Sequence, residues 1–233
     1  MSKPESIENR WDILYRDYPE VYDAFSSTPY QPTIYERLPE IVHLLGQSVA
    51  DVGSGTGKSS FALASYALRV FGIERERAML LQSQKNSGGE AAGRVLFLAG
   101  DALSLPLADR SVDVVTAITL ALYPPVQYRL FISKALRIAR KQVVYVGIPP
   151  RWYGGELYDV IENFEKVDEI VDGIFINEFG FNHKDVESIQ DYGTVEHIVN
   201  TYGFIFGKKV IEHLRRENKT TIRWMFRVYW KDA

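Results

Sequence analysis

Residues 49–60, which read VADVGSGTGKSS, combine an acidic residue, three regularly spaced glycines and a lysine. A short apolar run precedes the glycines and a helix-like segment follows, so they would lie in a turn between a strand and a helix. Main chain without Cβ atoms can pass close to a ligand at such a turn. The stretch is therefore a candidate ligand-binding loop, and its spacing decides what kind of ligand.

The spacing fits neither of two common nucleotide-binding loops. A phosphate loop, G-x-x-x-x-G-K-[ST], would require glycine where the chain has Val52, beside an acidic residue that disfavours polyphosphate. A dinucleotide loop, G-x-G-x-x-G, would require glycine where the chain has Lys58. A purely structural glycine-rich turn is a third alternative. The pattern that does fit, and that suits a ligand carrying a carboxylate and an amine, is acidic-x-G-x-G-x-G, formed by Asp51, Gly53, Gly55 and Gly57.

The elements that would position this loop alternate between short apolar runs and amphipathic segments of helical length. Such alternation predicts βα units and a parallel sheet with helices on both faces, an α/β fold. The predicted strands are residues 49–52, 70–73, 95–98, 112–118 and 143–146, and the predicted helices between them are residues 59–68, 75–84 and 126–139.

The ends of the chain add to this framework. Residues 1–34 are predicted to form an N-terminal cap with two short helices, interrupted at Pro19. Residues 204–214 and 220–230 are predicted to pair as an antiparallel hairpin, giving a mixed sheet of seven strands. Residues 151–185 would be an insertion after the fifth strand. The length of 233 residues predicts one domain, residues 1–233.

Composition excludes several classes of function. The chain has no cysteine, which rules out disulfides and thiolate metal sites, and its four histidines lack metal-binding spacing, so no metal is predicted. A net charge of −3 with scattered cations makes nucleic acid an improbable partner. No long apolar run and no apolar leader are present, so we expect a cytoplasmic protein without membrane insertion. The sequence does not predict an oligomeric state.

Over about residues 45–150 the chain resembles the class I S-adenosylmethionine-dependent methyltransferases, in particular the methyltransferase type 11 group that includes the ubiquinone/menaquinone C-methyltransferases. The resemblance is carried by the glycine loop, by VFGIERERAML with Glu74, by LAGDALSLPLADRSVDVVTAI with Asp101, and by Asp113 at the start of the fourth strand. The fifth strand departs from the family, because RIARKQVVYVGIPP lacks the usual Lys-Pro-Gly-Gly lead-in. The resemblance implies a Rossmann-like fold.

The resemblance also implies a binding site for S-adenosylmethionine. Glu74 would accept hydrogen bonds from both ribose hydroxyls, and Asp101 would accept one from the adenine amine. The N–H of Ala102 would meet the adenine ring, Asp51 would lie near the amino end of the methionine part, and Tyr22 would face the cofactor. The full predicted set is Asp51, Gly53, Ser54, Gly55, Gly57, Glu74, Arg75, Asp101, Ala102, Thr119 and Tyr22.

The implied activity is methyl transfer to a small-molecule acceptor by in-line displacement, achieved mainly by positioning. The acceptor would lie between the N-terminal helices and the insertion 151–185. His183 is the candidate general base for an acceptor that must lose a proton. Two alternatives stay open: an RNA or protein methyltransferase on the same fold, and an NAD- or nucleotide-binding protein without methyl transfer. The sequence does not predict whether O, N or C is methylated.

Overall fold

The structure is a computed structural model that describes residues 4–88 and 92–233. Within these residues, eight strands form one sheet in the order β1-β7-β8-β6-β5-β2-β3-β4. The pairs β2–β3, β2–β5, β3–β4 and β5–β6 are parallel, whereas β6–β8 and β1–β7 are antiparallel. The strands are β1 Tyr30–Gln31, β2 Ser48–Val52, β3 Arg69–Glu74, β4 Val95–Ala99, β5 Val112–Ile118, β6 Ala139–Gly147, β7 Asn182–Asp191 and β8 Thr221–Asp232.

Short helices connect these strands. The α-helices are α1 Trp11–Asp17, α2 Pro19–Ser27, α3 Ile34–Arg37, α4 Lys58–Leu63, α5 Arg77–Lys85, α6 Gln127–Ile138, α7 Asp168–Gly173, α8 Val195–Ile198, α9 Phe204–Phe206 and α10 Lys208–Arg216. Tighter 3₁₀ turns occur at Leu38–Glu40, Ala92–Arg94 and Gly155–Leu157, and wider π-helical turns at Ile174–Glu178 and Val199–Gly203. Among the described residues no helix is both long enough and apolar enough to cross a membrane.

The chain divides into two compact units. The sheet unit comprises Tyr35–Ile148, Glu169–Val186 and Phe226–Ala233, and the cap unit comprises Met1–Ile34, Pro149–Asp168 and Glu187–Met225. The predicted N-terminal cap thus belongs to the cap unit, although its first three residues lie outside the described part of the chain. The predicted insertion is shared between the two units. The assignment of residues 1–233 to a single domain stays a prediction.

The sheet unit has an apolar core because its central strands are buried on both faces. Val52, Val115 and Val143 are each at most 1% exposed. Helix α6 adds an amphipathic face with the helical spacing i, i+3, i+4, formed by Tyr128, Phe131, Ile132, Ala135 and Ile138. Burying a large apolar side chain completely stabilises the fold by about 1.5–3 kcal/mol. This core fixes the edge of the sheet at which the parallel strands end.

In the cap unit, one buried amide joins three elements. The Gln190 side chain is fully buried on β7, and its Nε2 donates to the main-chain oxygens of Phe25 (3.0 Å) and Thr28 (3.1 Å) at the end of α2. Its Oε1 accepts from the hydroxyl of Tyr192 (2.7 Å) and from Nε1 of Trp224 (3.0 Å) on β8. All four hydrogen-bonding positions of this amide are therefore used inside the unit.

The structure corrects the predicted end of the sheet. Residues 204–214, predicted as a hairpin strand, form α9 and most of α10, in which Val210, Ile211 and Leu214 are buried at helical spacing. The last strand, β8, lies between β6 and β7, and Val186, Ser188 and Gln190 of β7 alternate as buried residues. The mixed α/β sheet is confirmed, but it has eight strands because the two-residue β1 lies at one edge.

Candidate ligand-binding site

The glycine loop lies at the point in the sheet where the order of the strands reverses. Strand β2 is central, β3 and β4 follow on one side, and β5 and β6 follow on the other. In open α/β sheets, ligands bind outside the carboxyl ends of the strands at such a reversal. The loop Gly53–Gly57 directly follows β2, and α4 begins at Lys58. The loop is therefore placed where this class of fold binds ligands.

The three glycines of the loop all have positive φ, but their surroundings differ. The angles are +76° at Gly53, +54° at Gly55 and +93° at Gly57, a region that disfavours other residues. A Cβ atom on Gly53 would lie 2.8 Å from Leu120, and one on Gly57 would lie 2.8 Å from two phenylalanine rings. A Cβ atom on Gly55 would meet nothing within 4 Å. The outer two glycines are thus closely packed by side chains, whereas the middle one faces open space.

Glu74 ends β3 and is bonded directly to the glycine loop. Its Oε2 accepts from the N–H of Gly55 (2.8 Å), and its Oε1 accepts from the N–H of Glu76 (2.7 Å). The residue is 9% exposed. Each carboxylate oxygen has further lone pairs, so both can still accept a hydrogen bond from a ligand hydroxyl. Glu74 therefore fixes the open glycine and offers a pair of acceptors beside it.

Asp101 lies after β4, the next strand along the sheet. Its Oδ1 accepts from the N–H of Leu103 (2.7 Å), and its Oδ2 lies 3.9 Å from Nη1 of Arg75. This ion pair is exposed, and pairs of this kind contribute about 0–1 kcal/mol, so a ligand donor can compete with the arginine. Ala102 is half-buried and packs against the core of the sheet unit. The structure thus brings Arg75, Asp101 and Ala102 to the same edge as Glu74.

The Asp51 carboxylate accepts hydrogen bonds from other side chains of the protein. It is 1% exposed, and its Oδ2 accepts hydrogen bonds from the hydroxyls of Ser59 (2.6 Å) and Ser60 (2.7 Å). Its Oδ1 accepts from the hydroxyl of Thr116 (3.2 Å) on β5. These bonds tie the first turn of α4 to the ends of two strands. The structure therefore gives Asp51 a role in holding the loop, and its predicted place near the ligand's amino end stays a prediction.

Burial makes the charge of Asp51 unfavourable for folding. Burial raises the pKa of its carboxyl, and the three hydroxyl donors only partly oppose that shift. A raised folded-state pKa means that the stability contributed by the group is present at low pH and is lost as the pH rises through that pKa. Asp51→Asn is expected to unfold at higher denaturant concentration than the unaltered protein near neutral pH, with the difference shrinking in acid.

Asp113→Asn is the control, because its effect on stability near neutral pH is expected to have the opposite sign. The N–H and hydroxyl of Ser48 hold the pKa of Asp113 below its usual range, with help from Lys141. A lowered pKa contributes stability above the unfolded-state pKa that is lost as the pH falls. This variant should therefore be less stable than the unaltered protein near neutral pH, with the two converging in acid. Urea unfolding at several pH values measures both differences, and parallel behaviour of the two variants would contradict the assignment.

Two further predicted residues border the loop. Ser54 is 4% exposed, and its Oγ has no hydrogen-bond partner among the described residues. Thr119 follows β5 with an exposed side chain and a φ of +53°, and its N–H donates to the oxygen of Val146 (2.8 Å). Positive φ at a β-branched residue costs about 1–3 kcal/mol, and such strain is concentrated at functional sites.

The structure does not bring His183 to the loop. His183 is exposed on β7, and three strands (β8, β6 and β5) lie between β7 and β2. At the usual strand spacing this is about 19 Å across the sheet, too far for proton transfer at the loop. Tyr22 lies on α2 in the cap unit. His183 therefore receives no support as a general base, and the role of Tyr22 stays a prediction.

Sequence reasoning missed Leu120, which lies directly after Thr119. Its side chain packs against Gly53, and its main-chain oxygen accepts hydrogen bonds from the hydroxyls of Tyr128 (2.8 Å) and Tyr145 (3.1 Å). A leucine in the largely apolar stretch AITLAL, residues 117–122, gives no sequence signal for such a role, and buried tyrosines are usually explained by core packing. The contact is visible only in three dimensions.

The combined features suit a ligand with a pair of hydroxyls and an amine. The open main chain at Gly55 leaves room for close approach, Glu74 offers two acceptors, and Asp101 offers one at the next strand. A ribose ring supplies the hydroxyl pair and adenine supplies the amine. The residues present thus fit an adenine nucleoside. Among the described residues, no group of three or more His, Cys, Asp or Glu side chains is arranged to hold a metal ion.

Comparison with known proteins identifies related chains. Residues 49–142 match the family described as "Methyltransferase domain". The O-methyltransferase rstn1 of Aspergillus nomiae is 38% identical over 46% of this chain and 48% of its own length. Demethylmenaquinone methyltransferases of Thermobifida fusca (38% identical, 30% of each chain) and of a Parafrankia species (30% identical, 59% of this chain and 60% of the relative) also match. The chain thus spans about half or less of the length of most relatives it matches.

Solved structures share the fold over nearly the whole chain. A SAM-dependent methyltransferase from Aquifex aeolicus superposes with a TM-score of 0.58 at 15% identity, covering 92% of this chain and 98% of that one. Magnesium protoporphyrin IX methyltransferase from Synechocystis, solved with bound SAM, gives a TM-score of 0.52 at 16% identity, covering 100% and 86%. These likenesses confirm the predicted Rossmann-like fold class.

Proposed function

We propose that this chain, which contains a methyltransferase domain over residues 49–142, is an S-adenosylmethionine-dependent methyltransferase that acts on a small molecule. The observation that carries the proposal is the joint geometry of Gly55 and Glu74. A glycine open to the crevice donates its N–H to a carboxylate at the tip of the adjacent strand. That arrangement places main chain for close approach and paired acceptors for ribose hydroxyls side by side.

The proposed roles follow from what each group offers. Glu74 accepts hydrogen bonds from the ribose hydroxyls, and Asp101 accepts one from the adenine amine, which distinguishes adenine from guanine. Gly53, Ser54 and Gly57 shape the loop. Asp51 holds the loop through the hydrogen bonds that it accepts from Ser59 and Ser60, and it lies near the amino end of the methionine part. Arg75, Ala102 and Thr119 complete the border of the crevice.

The chemistry demands little of the protein beyond positioning. S-Adenosylmethionine supplies a methyl group on a cationic sulfur, which a nucleophile takes in line while the electron pair of the broken bond stays on sulfur. The loop and the two carboxylates hold the cofactor in one orientation, and such positioning accounts for about 7–11 kcal/mol of barrier in favourable cases. No general base is assigned, because the structure does not place His183 at the loop.

Two observations favour a small-molecule acceptor over RNA. The three relatives described above are named as demethylmenaquinone or O-methyltransferases. The net charge of −3 gives no broad basic surface for phosphates. One relative, from Methanospirillum hungatei, is named a probable ribosomal RNA small subunit methyltransferase A, at 28% identity over 42% of this chain and 39% of its own length. RNA is therefore the alternative that the experiment must include.

Thermal shift and calorimetry test the proposal directly. S-Adenosylmethionine and S-adenosylhomocysteine are expected to raise the melting temperature, whereas NAD and ATP are not, because a ligand that binds only the folded state stabilises it. Stabilisation by NAD or ATP alone would contradict the proposal. Incubation with methyl-labelled cofactor should then label quinol or phenol acceptors, and labelling of ribosomal RNA alone would favour the alternative.

A further inference from the structure

Two buried tyrosines converge on one main-chain oxygen beside the glycine loop. Leu120 follows β5, and its side chain packs against Gly53. The hydroxyl of Tyr128 donates to the Leu120 oxygen at 2.8 Å, and the hydroxyl of Tyr145 lies 3.1 Å from the same oxygen. Because Tyr128 lies on α6 and Tyr145 on β6, the segment after β5 is tied to two other elements of the sheet unit.

The number of hydroxyl protons shows that the two tyrosines can substitute for each other as donors to the Leu120 oxygen. The two hydroxyl oxygens are 3.2 Å apart, so three oxygen–oxygen contacts join Tyr128, Tyr145 and Leu120. Two phenols carry only two hydroxyl protons, so one of these contacts lacks a proton at any moment. Either tyrosine alone can therefore keep the Leu120 oxygen hydrogen-bonded. Tyr128 does more, because its oxygen also accepts from the N–H of Leu122 (3.2 Å).

Packing fixes the positions of both hydroxyls. Tyr128 and Tyr145 are 5% and 4% exposed. The Tyr145 ring stacks on Phe175 with centroids 4.5 Å apart, and the Tyr128 ring meets Tyr145 edge-on at 5.6 Å. Rings held in this way cannot follow a moving main chain, so the hydroxyls act as fixed points.

The segment that they hold would not keep its conformation unaided. Thr119 has positive φ, which is unfavourable for a β-branched residue, and its N–H is bonded to Val146 on β6. The segment follows β5, which is the parallel neighbour of β2. It therefore lies beside the point where the strand order reverses, which is where a ligand would bind. A strained segment at this place persists only if its surroundings specify it.

We propose that Tyr128 and Tyr145 are positioning residues whose hydroxyls hold residues 119–122 in the conformation that admits S-adenosylmethionine at the glycine loop. This inference rests on the proposed function. Without the hydroxyls the segment populates other conformations, and the apparent affinity for the cofactor falls by the fraction of molecules that remain competent. Loss of both hydroxyls also leaves the Leu120 oxygen without either donor, which favours its rotation away from the core.

The test compares Y128F, Y145F and the double variant with Y229F as the matched control. Tyr229 belongs to the same buried cluster, and its hydroxyl donates to Asp172 (2.9 Å) rather than to Leu120. Calorimetry with S-adenosylmethionine should show roughly unchanged affinity for Y145F and a loss of roughly threefold to tenfold for Y128F. The double variant should lose more than the product of the two single effects, since either tyrosine can substitute for the other. Y229F should lose stability but not affinity.

Amide hydrogen exchange separates positioning from general destabilisation. The N–H of Leu122 should exchange faster in Y128F and in the double variant, but not in Y145F or Y229F, because among these three tyrosines it is Tyr128 that accepts from it. A folded double variant with unaltered affinity would overturn the inference. If the double variant does not fold, Y128F provides the test. Faster exchange of the Leu122 N–H in Y128F together with unaltered affinity for the cofactor would also overturn the inference. Failure of the unaltered protein to bind the cofactor would instead overturn the proposed function.

Discussion

Replacing Glu74 with alanine is expected to weaken binding of S-adenosylmethionine and S-adenosylhomocysteine by at least about 100-fold, since two charge-assisted hydrogen bonds of at least about 1.5 kcal/mol each are lost. The side chain accepts from the N–H of Gly55 and of Glu76, and both of its oxygens retain capacity for a ligand hydroxyl. Alanine also removes the acceptor that fixes Gly55, so the loop becomes less well ordered for binding. Isothermal titration calorimetry measures the affinity of each variant.

Glu76→Ala is the matched control for this prediction. The two residues are separated by one position and carry the same charge, but the Glu76 side chain is 64% exposed and pairs with Arg75. The substitution keeps the Glu76 N–H that donates to Glu74. We expect cofactor affinity within about twofold of the unaltered protein, because an exposed ion pair contributes about 0–1 kcal/mol. Equal losses in the two variants would mean that net charge, not a ribose contact, governs binding.

Gly57→Ala is expected to lower the free energy of unfolding by about 2–5 kcal/mol, from positive-φ strain together with overpacking. The φ of Gly57 is +93°, and a Cβ atom there would lie 2.8 Å from both Phe61 and Phe97. These rings pack edge-on with centroids 5.5 Å apart, so neither can withdraw without disturbing the other. Urea unfolding monitored by circular dichroism measures the loss.

Alanine variants of two other glycines distinguish the cost of backbone strain from the cost of overpacking, and both of these from an effect on cofactor binding. Gly55 and Gly46 have φ values of +54° and +70°, and a Cβ atom on either would meet nothing within 4 Å. Each alanine variant should therefore lose only about 1–2 kcal/mol, from the backbone conformation alone. Gly46 precedes β2 at its other end, so Gly46→Ala should keep cofactor affinity, whereas Gly55→Ala should lower it. Retained affinity in Gly55→Ala would contradict the role given to the open glycine.

The sequence made the sheet and its loop predictable because their signals are local. Short apolar runs bounded by glycine or polar residues predicted the five parallel strands. Since the carboxyl ends of parallel strands meet at one edge, Glu74 and Asp101 were expected near the loop, and the structure places them there. The glycine spacing predicted a turn that only glycine fits, which the positive φ values explain.

Residues whose partners are distant in sequence could not be predicted in the same way. Nothing in the spacing shows that Thr116, on the neighbouring strand, donates a hydrogen bond to Asp51. Residues 204–214 looked like a strand because they are rich in β-branched and aromatic residues and precede a polar turn. The spacing of Val210, Ile211 and Leu214 was the signal for a helix. Local β propensity was outweighed by burial on one helical face.

A crystal structure of the protein with S-adenosylhomocysteine tests the proposed binding mode. We expect the ribose hydroxyls within hydrogen-bonding distance of the Glu74 carboxylate, the adenine amine near Asp101, and main chain at Gly55 against the ligand. A ligand bound elsewhere, or one whose ribose does not contact Glu74, would contradict it.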